Sequence, residues 1–138
     1  MKPLLLAVLV GGLLAIGGCI PQGGDPKLTS FSFQGGSCGA GEGKVEVAPQ
    51  PGALVFSGQF AAPSPCHRLK TVLQKIASQH QIVLSIPLEE PLDPCAQCLA
   101  LIPYSGRIEG LGTGRWHVRV YHQDREVLQG EFDVPAAP

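Results

Sequence analysis

Short runs of alternating apolar and polar residues recur along most of the chain, the period expected of half-buried strands. Leu28 to Phe33 is the first. Lys44 to Ala48 sets Val45 and Val47 on one face, and Ala53 to Ala61 groups Leu54, Phe56 and Phe60, with Gly58 interrupting. Ile82, Leu84, Ile86 and Leu88 alternate cleanly. Leu99 to Ile108 reads as extended, and Pro103 within it suggests an edge or a bulge, because proline cannot donate to a ladder. Arg115 to His122 turns Trp116, Val118 and Val120 inward and Arg115, His117, Arg119 and Tyr121 outward. In the last strand Leu128, Phe132 and Val134 share a face. Residues 68–78 carry two periods. Leu69, Val72, Leu73 and Ile76 form a helical stripe, whereas Leu69, Thr71 and Leu73 share a strand face. Periodicity alone favours the helix. A hairpin from 67–76 to 82–88 suits an all-β neighbourhood, and a strand is the expectation.

Turn signals separate these runs. The chain holds 18 Gly and 13 Pro in 138 residues, which favours many turns over long helices. Residues 35–43 form a Gly-rich loop, and Pro87 to Pro94 an acidic, Pro-rich one. Seven or eight short strands with regular turns predict an all-β sandwich over residues 27–135, followed by a tail at 136–138. The length suits one domain with a modest core. Charge is nearly balanced, with 10 Lys+Arg against 11 Asp+Glu. That argues against a general nucleic-acid binder, which needs a basic surface to neutralise phosphates.

The N-terminus has a separate character. Met1-Lys2 supplies a positive start, and Leu4 to Ile16 is apolar apart from Gly11 and Gly12. This run is short for a membrane-spanning helix, which needs ~20 apolar residues, and has signal-peptide proportions. It ends in Ile16-Gly17-Gly18-Cys19, which resembles the lipobox of bacterial lipoproteins. The resemblance implies a signal peptide at 1–18, cleavage before Cys19, and a diacylglyceryl group on the Cys19 thiol with further acylation of the new amine. Acyl chains anchor stably because each buried CH₂ adds ~0.8 kcal/mol. Residues 19–26 then form a lipidated tether, expected to be flexible. The domain is expected outside the cell membrane, on the periplasmic side or the cell surface.

Five cysteines are present. With Cys19 lipidated, Cys38, Cys66, Cys95 and Cys98 remain, an even number that in an exported domain reads as two disulfides with three connectivities. The preferred pairing is Cys66–Cys95 with Cys38–Cys98, each bridge adding roughly 2–4 kcal/mol. Cys95-Ala96-Gln97-Cys98 is a CxxC, so a redox pair or half a zinc site with Cys66 and His67 is the alternative. The redox reading lacks the βαβ context and the zinc reading lacks a second close pair.

The order Pro65-Cys66-His67, then Cys95 to Leu99, then Leu111-Gly112-Thr113-Gly114-Arg115-Trp116-His117-Val118-Arg119-Val120-Tyr121 resembles a group of small envelope lipoproteins. That resemblance spans roughly residues 28–134. It implies an immunoglobulin-like antiparallel β-sandwich and no activity.

Chemical motifs are sparse. Gly43-Lys44 closes the Gly-rich loop, but Cys38 and Val45 stand where a phosphate loop needs Gly and Ser/Thr. His67, His80, His117 and His122 are scattered, and none belongs to an H-E-x-x-H pattern. Glu89, Glu90 and Asp93 lack calcium-loop spacing. The candidate binding face is the outward stripe Arg115, His117, Arg119 and Tyr121, with Arg107 from a neighbouring strand. Such a stripe suits an anionic glycan, an acidic peptide or a partner's sheet edge, set against the plain reading of a solvated strand face. No cofactor or metal is implied. The expectation is a non-catalytic envelope module that binds a protein or glycan. The alternative is a metal or thiol-redox protein using Cys66, His67, Cys95 and Cys98.

Overall fold

The computed structural model describes residues 25–137. The signal peptide expected at 1–18, Cys19 with its expected lipid and the expected tether up to residue 24 lie outside them.

The expected β-sandwich is what the chain forms. One layer contains β1 (Lys27–Phe33), β2 (Ser37–Cys38), β3 (Lys44–Gln50), β4 (Ala53–Ala62) and β9 (Ala100–Glu109). The other contains β6 (Val72–Ile76), β7 (Gln81–Ile86), β10 (Gly114–His122) and β11 (Arg125–Val134). A small ladder pairs β5 (Arg68–Leu69) with β8 (Leu88–Glu89). The first layer runs β1-β9-β4-β3, with β2 also on β9, and the second β11-β10-β7-β6.

Among the described residues all pairings are antiparallel except one: β7 and β10 run parallel, His117 opposite Gln81 and His122 opposite Ile86. This differs from the wholly antiparallel sandwich expected. After β7 the chain crosses to the other layer as β9 and returns through the turn at 110–113. It therefore enters β10 at the end from which β7 started.

Residues 68–76 are mostly strand, as expected, and not helix. They divide into β5 and β6, and β6 forms a hairpin with β7 through a 3-10 turn at Ala77–Gln79, closed by His80 in the left-handed region (φ 51°). The helical stripe is not buried as a unit. Leu69 is in the core and Leu73 packs against it, while Val72 and Ile76 are exposed. Tertiary pairing overrides the local period.

Pro103 is not at a sheet edge. It lies in β9, the central strand, opposite Gln59 of β4. Its carbonyl accepts from the Gln34 N–H, so its nitrogen faces the same side, towards residues 34–36 between β1 and β2. No ladder bond is lost, because the neighbouring strand is interrupted there.

The core lies between the layers. Leu54, Phe56 and Phe60 of β4 and Ile102, Tyr104 and Ile108 of β9 meet Ile82, Leu84 and Ile86 of β7 and Trp116, Val118 and Val120 of β10. Full burial of each large apolar side chain contributes about 1.5–3 kcal/mol. Trp116 is wholly buried, and its Nε1–H donates to the Gly112 carbonyl at 2.8 Å.

The strands run between two distinct ends. Asp25, the β3–β4 turn at Gly52, the turn at 110–113 and Pro135 gather at one. The Gly52 N–H donates to Pro135 O, the Leu111 N–H donates to Gly52 O, and Lys27 stands opposite Glu109. Residues 34–43, 63–70, 87–99 and 123–124 gather at the other. The expected tether shortens here. Pro26 is buried, and Lys75 of β6 binds the Pro26 carbonyl at 2.6 Å and the Asp25 carboxylate at 2.5 Å. Gly110 (φ 79°) lies against this segment, where a Cβ would come within 2.5 Å of Asp25 O. The chain's path into the domain is thus fixed at the end opposite residues 87–99.

Candidate functional site

The end far from Asp25 is built on proline and cysteine chemistry. Pro63 and Pro65 follow β4 and lack the N–H groups to extend its ladder. Two disulfides then hold the loops: Cys66–Cys95 (Cα–Cα 6.1 Å) and Cys38–Cys98 (Cα–Cα 5.7 Å), the pairing preferred from the sequence. Backbone bonds from Gly36 N–H to Pro65 O and from Gly39 N–H to Leu99 O tie the Gly-rich loop to both. Below the loop tip, β5 pairs β8, the Lys70 N–H donates to Pro87 O, and Glu89 takes ion pairs from Arg68 (3.4 Å) and Lys70 (2.5 Å).

Between the 63–67 turn and the 90–97 loop is an open cleft of about 570 Å³, lined by Ser64, His67, Glu90, Asp93, Gln97 and neighbouring prolines. Its most ordered feature is a polar chain. His67 Nδ1 is 2.6 Å from Ser64 Oγ, the Cys66 N–H donates to the same oxygen at 3.3 Å, and His67 Nε2 is 3.6 Å from Glu90 Oε2. The elements of a serine–histidine–carboxylate relay are therefore adjacent, which their spacing in sequence does not advertise. Their exposure assigns the role. Ser64 is 3% exposed, and its oxygen is engaged by its own turn. A nucleophile must reach its substrate; this hydroxyl instead fixes the turn that carries Cys66.

The CxxC is split. Cys95 and Cys98 belong to different bridges, so the motif encloses neither a redox disulfide nor a free thiolate pair. Among the described residues no group of three or more His, Cys, Asp or Glu side chains is arranged to hold a metal ion.

The basic stripe is present on β10, but its charge is largely matched. The β10–β11 register puts Asp133 opposite Arg115, Glu131 opposite His117 and Glu126 opposite Tyr121. Arg115 pairs with Asp133 (3.3 Å) and Glu131 (3.5 Å), and Arg119 with Glu126 (2.7 Å). The Tyr121 hydroxyl donates to the same Glu126 carboxylate at 3.1 Å, and the Arg119 guanidinium lies 5.5 Å from the Tyr121 ring centroid. The hydrogen bond that Arg119 donates holds the Glu126 carboxyl below its usual range, and the same bond raises Arg119. Arg107 is not part of this face. It sits on β9 in the other layer, bound to Glu109 (2.9 Å) and Gln50 (2.6 Å). The crossover after β7 puts it there, and strand periodicity contains no information on which layer a strand joins.

One polar pair escaped the sequence reading. His122 ends the inward series begun by Trp116, and continuing that alternation two residues past Val120 would have found it. Its Nε2 lies 2.6 Å from the Tyr104 hydroxyl across the core, and Phe60 stacks on its ring at 4.6 Å. Burial pushes His122 down to about 4, with the nearby Arg125 charge adding to the effect, and burial also raises Tyr104. This pair ties the layers together and is closed to solvent.

The geometry yields one stapled, cleft-bearing end and one self-neutralised sheet face. No protein-family model matches the chain, and neither the curated proteins nor the solved structures contain a significant match to it.

Proposed function

We propose that the protein is a non-catalytic, lipid-anchored module of a bacterial cell envelope that recognises a partner protein through its disulfide-stapled end. The observation that carries this reading is the placement of the two ends. The chain enters through Asp25 and Pro26, packed against Lys75, while both disulfides and the cleft lie at the opposite end. The residues from Cys19 to Asp25 reach at most about 20 Å when extended. The ten-residue strand β9 separates the two ends by about 30 Å. A lipid on Cys19 therefore holds the Asp25 end at the membrane and directs the stapled loops outward.

Two bridges agree with an oxidising, extracytoplasmic setting. Among the described residues no helix is long and apolar enough to cross a membrane. The β10 face ranks second as a docking surface, because a partner must displace the carboxylates already bound to Arg115 and Arg119.

The test has two parts. Intact mass of protein from membranes, alkylated without reduction, should give a start at Cys19 with added acyl chains and no alkylated thiol; an unlipidated start removes the anchor. Photocrosslinkers at Gln97 in the cleft and Gln129 on the β11 face then compare the two surfaces in intact cells. Protein adducts from Gln97 support the reading, and adducts confined to Gln129 transfer recognition to the β10 face.

A further inference from the structure

We infer that the loop 90–94 is a preformed anchor that inserts Leu92 into an apolar pocket with a basic rim on a partner protein. This rests on the reading above and names the partner chemistry of the same stapled end.

Leu92 is 78% exposed, the most exposed large apolar side chain described, and Leu99, in the same 87–99 loop, is 68% exposed. Phe33 and Val72, also exposed, lie in the same half of the sandwich, whereas Ile76 lies towards Asp25. Exposed apolar surface is thus concentrated at the end directed outward. A solitary exposed leucine needs no explanation; a leucine held on the wall of the cleft by a loop clamped at both sides does.

The rigidity has identifiable sources. Pro91 and Pro94 flank Leu92-Asp93 and fix two backbone φ angles. The β5–β8 ladder holds the loop's N-terminal side, and the Cys66–Cys95 disulfide clamps its C-terminal side. The ordering entropy that a binding loop ordinarily loses on association is already lost in the free protein. The cost of exposing Leu92 is then offset only by a surface that covers it.

Charge selects the kind of surface. Glu90 and Asp93 flank Leu92. Glu90 is 93% exposed, 3.6 Å from His67, and Asp93 has no ion pair within 4 Å among the described residues. An apolar tip between two carboxylates is repelled by anionic lipid and matched by lysine or arginine around an apolar pocket. A membrane is therefore the less suitable occupant, and a protein with a concave apolar site the suitable one.

The experiment uses the full chain in the cells that make it, with a benzophenone amino acid in place of the exposed Ala96 on the same loop as the reporter, which leaves Glu90, Leu92 and Asp93 intact. The expected adduct is to one protein, its crosslinked residues mapping to an apolar depression with Lys or Arg at its edge. Leu92→Asp should reduce that adduct by about tenfold, as loss of a central apolar anchor does, while Leu92→Met and the remote Ile76→Asp retain it. Both Leu92 and Ile76 are exposed, and near-UV circular dichroism with unchanged non-reducing mobility checks folding. A protein adduct unaffected by Leu92→Asp overturns the anchor while leaving recognition at the stapled end intact, and adducts made to lipid alone overturn the anchor together with the outward orientation. Absence of protein adducts from both this position and Gln97 overturns the anchor and the broader reading together.

Discussion

The Tyr104 hydroxyl of β9 lies 2.6 Å from His122 Nε2 of β10, the buried side-chain hydrogen bond that joins the two layers of the sandwich. The pair is stacked on one side by Phe60 and approached by Gly43, where a Cβ would stand 2.7 Å from His122 Nδ1. A polar contact so enclosed makes the core sensitive to protonation.

His122 has its folded pKa lowered to about 4 from an ordinary 6.5. Between those values the unfolded chain binds the proton and the folded one does not. Stability is therefore full above about pH 6.5, falls as pH drops towards 4, and loses on the order of 2 kcal/mol from this group by then. Urea unfolding at pH 7.5 and pH 5 should show the loss, and His122→Gln should flatten it over that interval. An equal pH dependence in the variant rejects His122 as its source.

Tyr104→Phe should cost about 1–2 kcal/mol, because it leaves His122 Nε2 buried without its partner. Tyr104→Phe with His122→Leu should cost less than the sum of the two single changes, since no orphaned group remains. Additive losses in chemical denaturation would show that the two side chains act independently.

Gly58 is opposite Tyr104 on β4 and β9. A Cβ there would collide with the Lys44 carbonyl and come 2.6 Å from the Tyr104 hydroxyl. Gly58→Ala should destabilise by about 1–3 kcal/mol through overpacking. A thermal midpoint lowered by several degrees, with Gly39→Ala on the open loop unchanged, is the expected result.

Proteolysis without reduction should release one peptide pair joined by Cys38–Cys98 and another by Cys66–Cys95. Replacing Cys38 and Cys98 together by alanine should cost roughly 2–4 kcal/mol, since that bridge closes the longer loop. A fragment in which Cys95 is joined to Cys98 would return the CxxC to redox chemistry.

The strands were legible because their chemistry is local. Alternation located β1, β3, β4, β7, β9, β10 and β11 closely, since each buries one face and exposes the other. It located β6 less surely, because an edge strand with Val72 and Ile76 exposed has little pattern to show. The candidate site divided similarly. The cysteine partners and the outward order of Arg115, His117, Arg119 and Tyr121 came from the chain, whereas the carboxylates facing them depended on the β10–β11 register.

From the sequence alone followed the all-β class, the strand faces and the cysteines available for bridging, because side-chain period, turn residues and residue counts act over short spans. Tertiary structure alone decided the rest: Arg107 on the opposite layer, β7 parallel to β10, Tyr104 against His122, Ser64 against His67, and the stapled loops opposite Asp25. Those relations depend on which strand crosses to which layer. Long-range burial selects that crossing, and no local pattern encodes it.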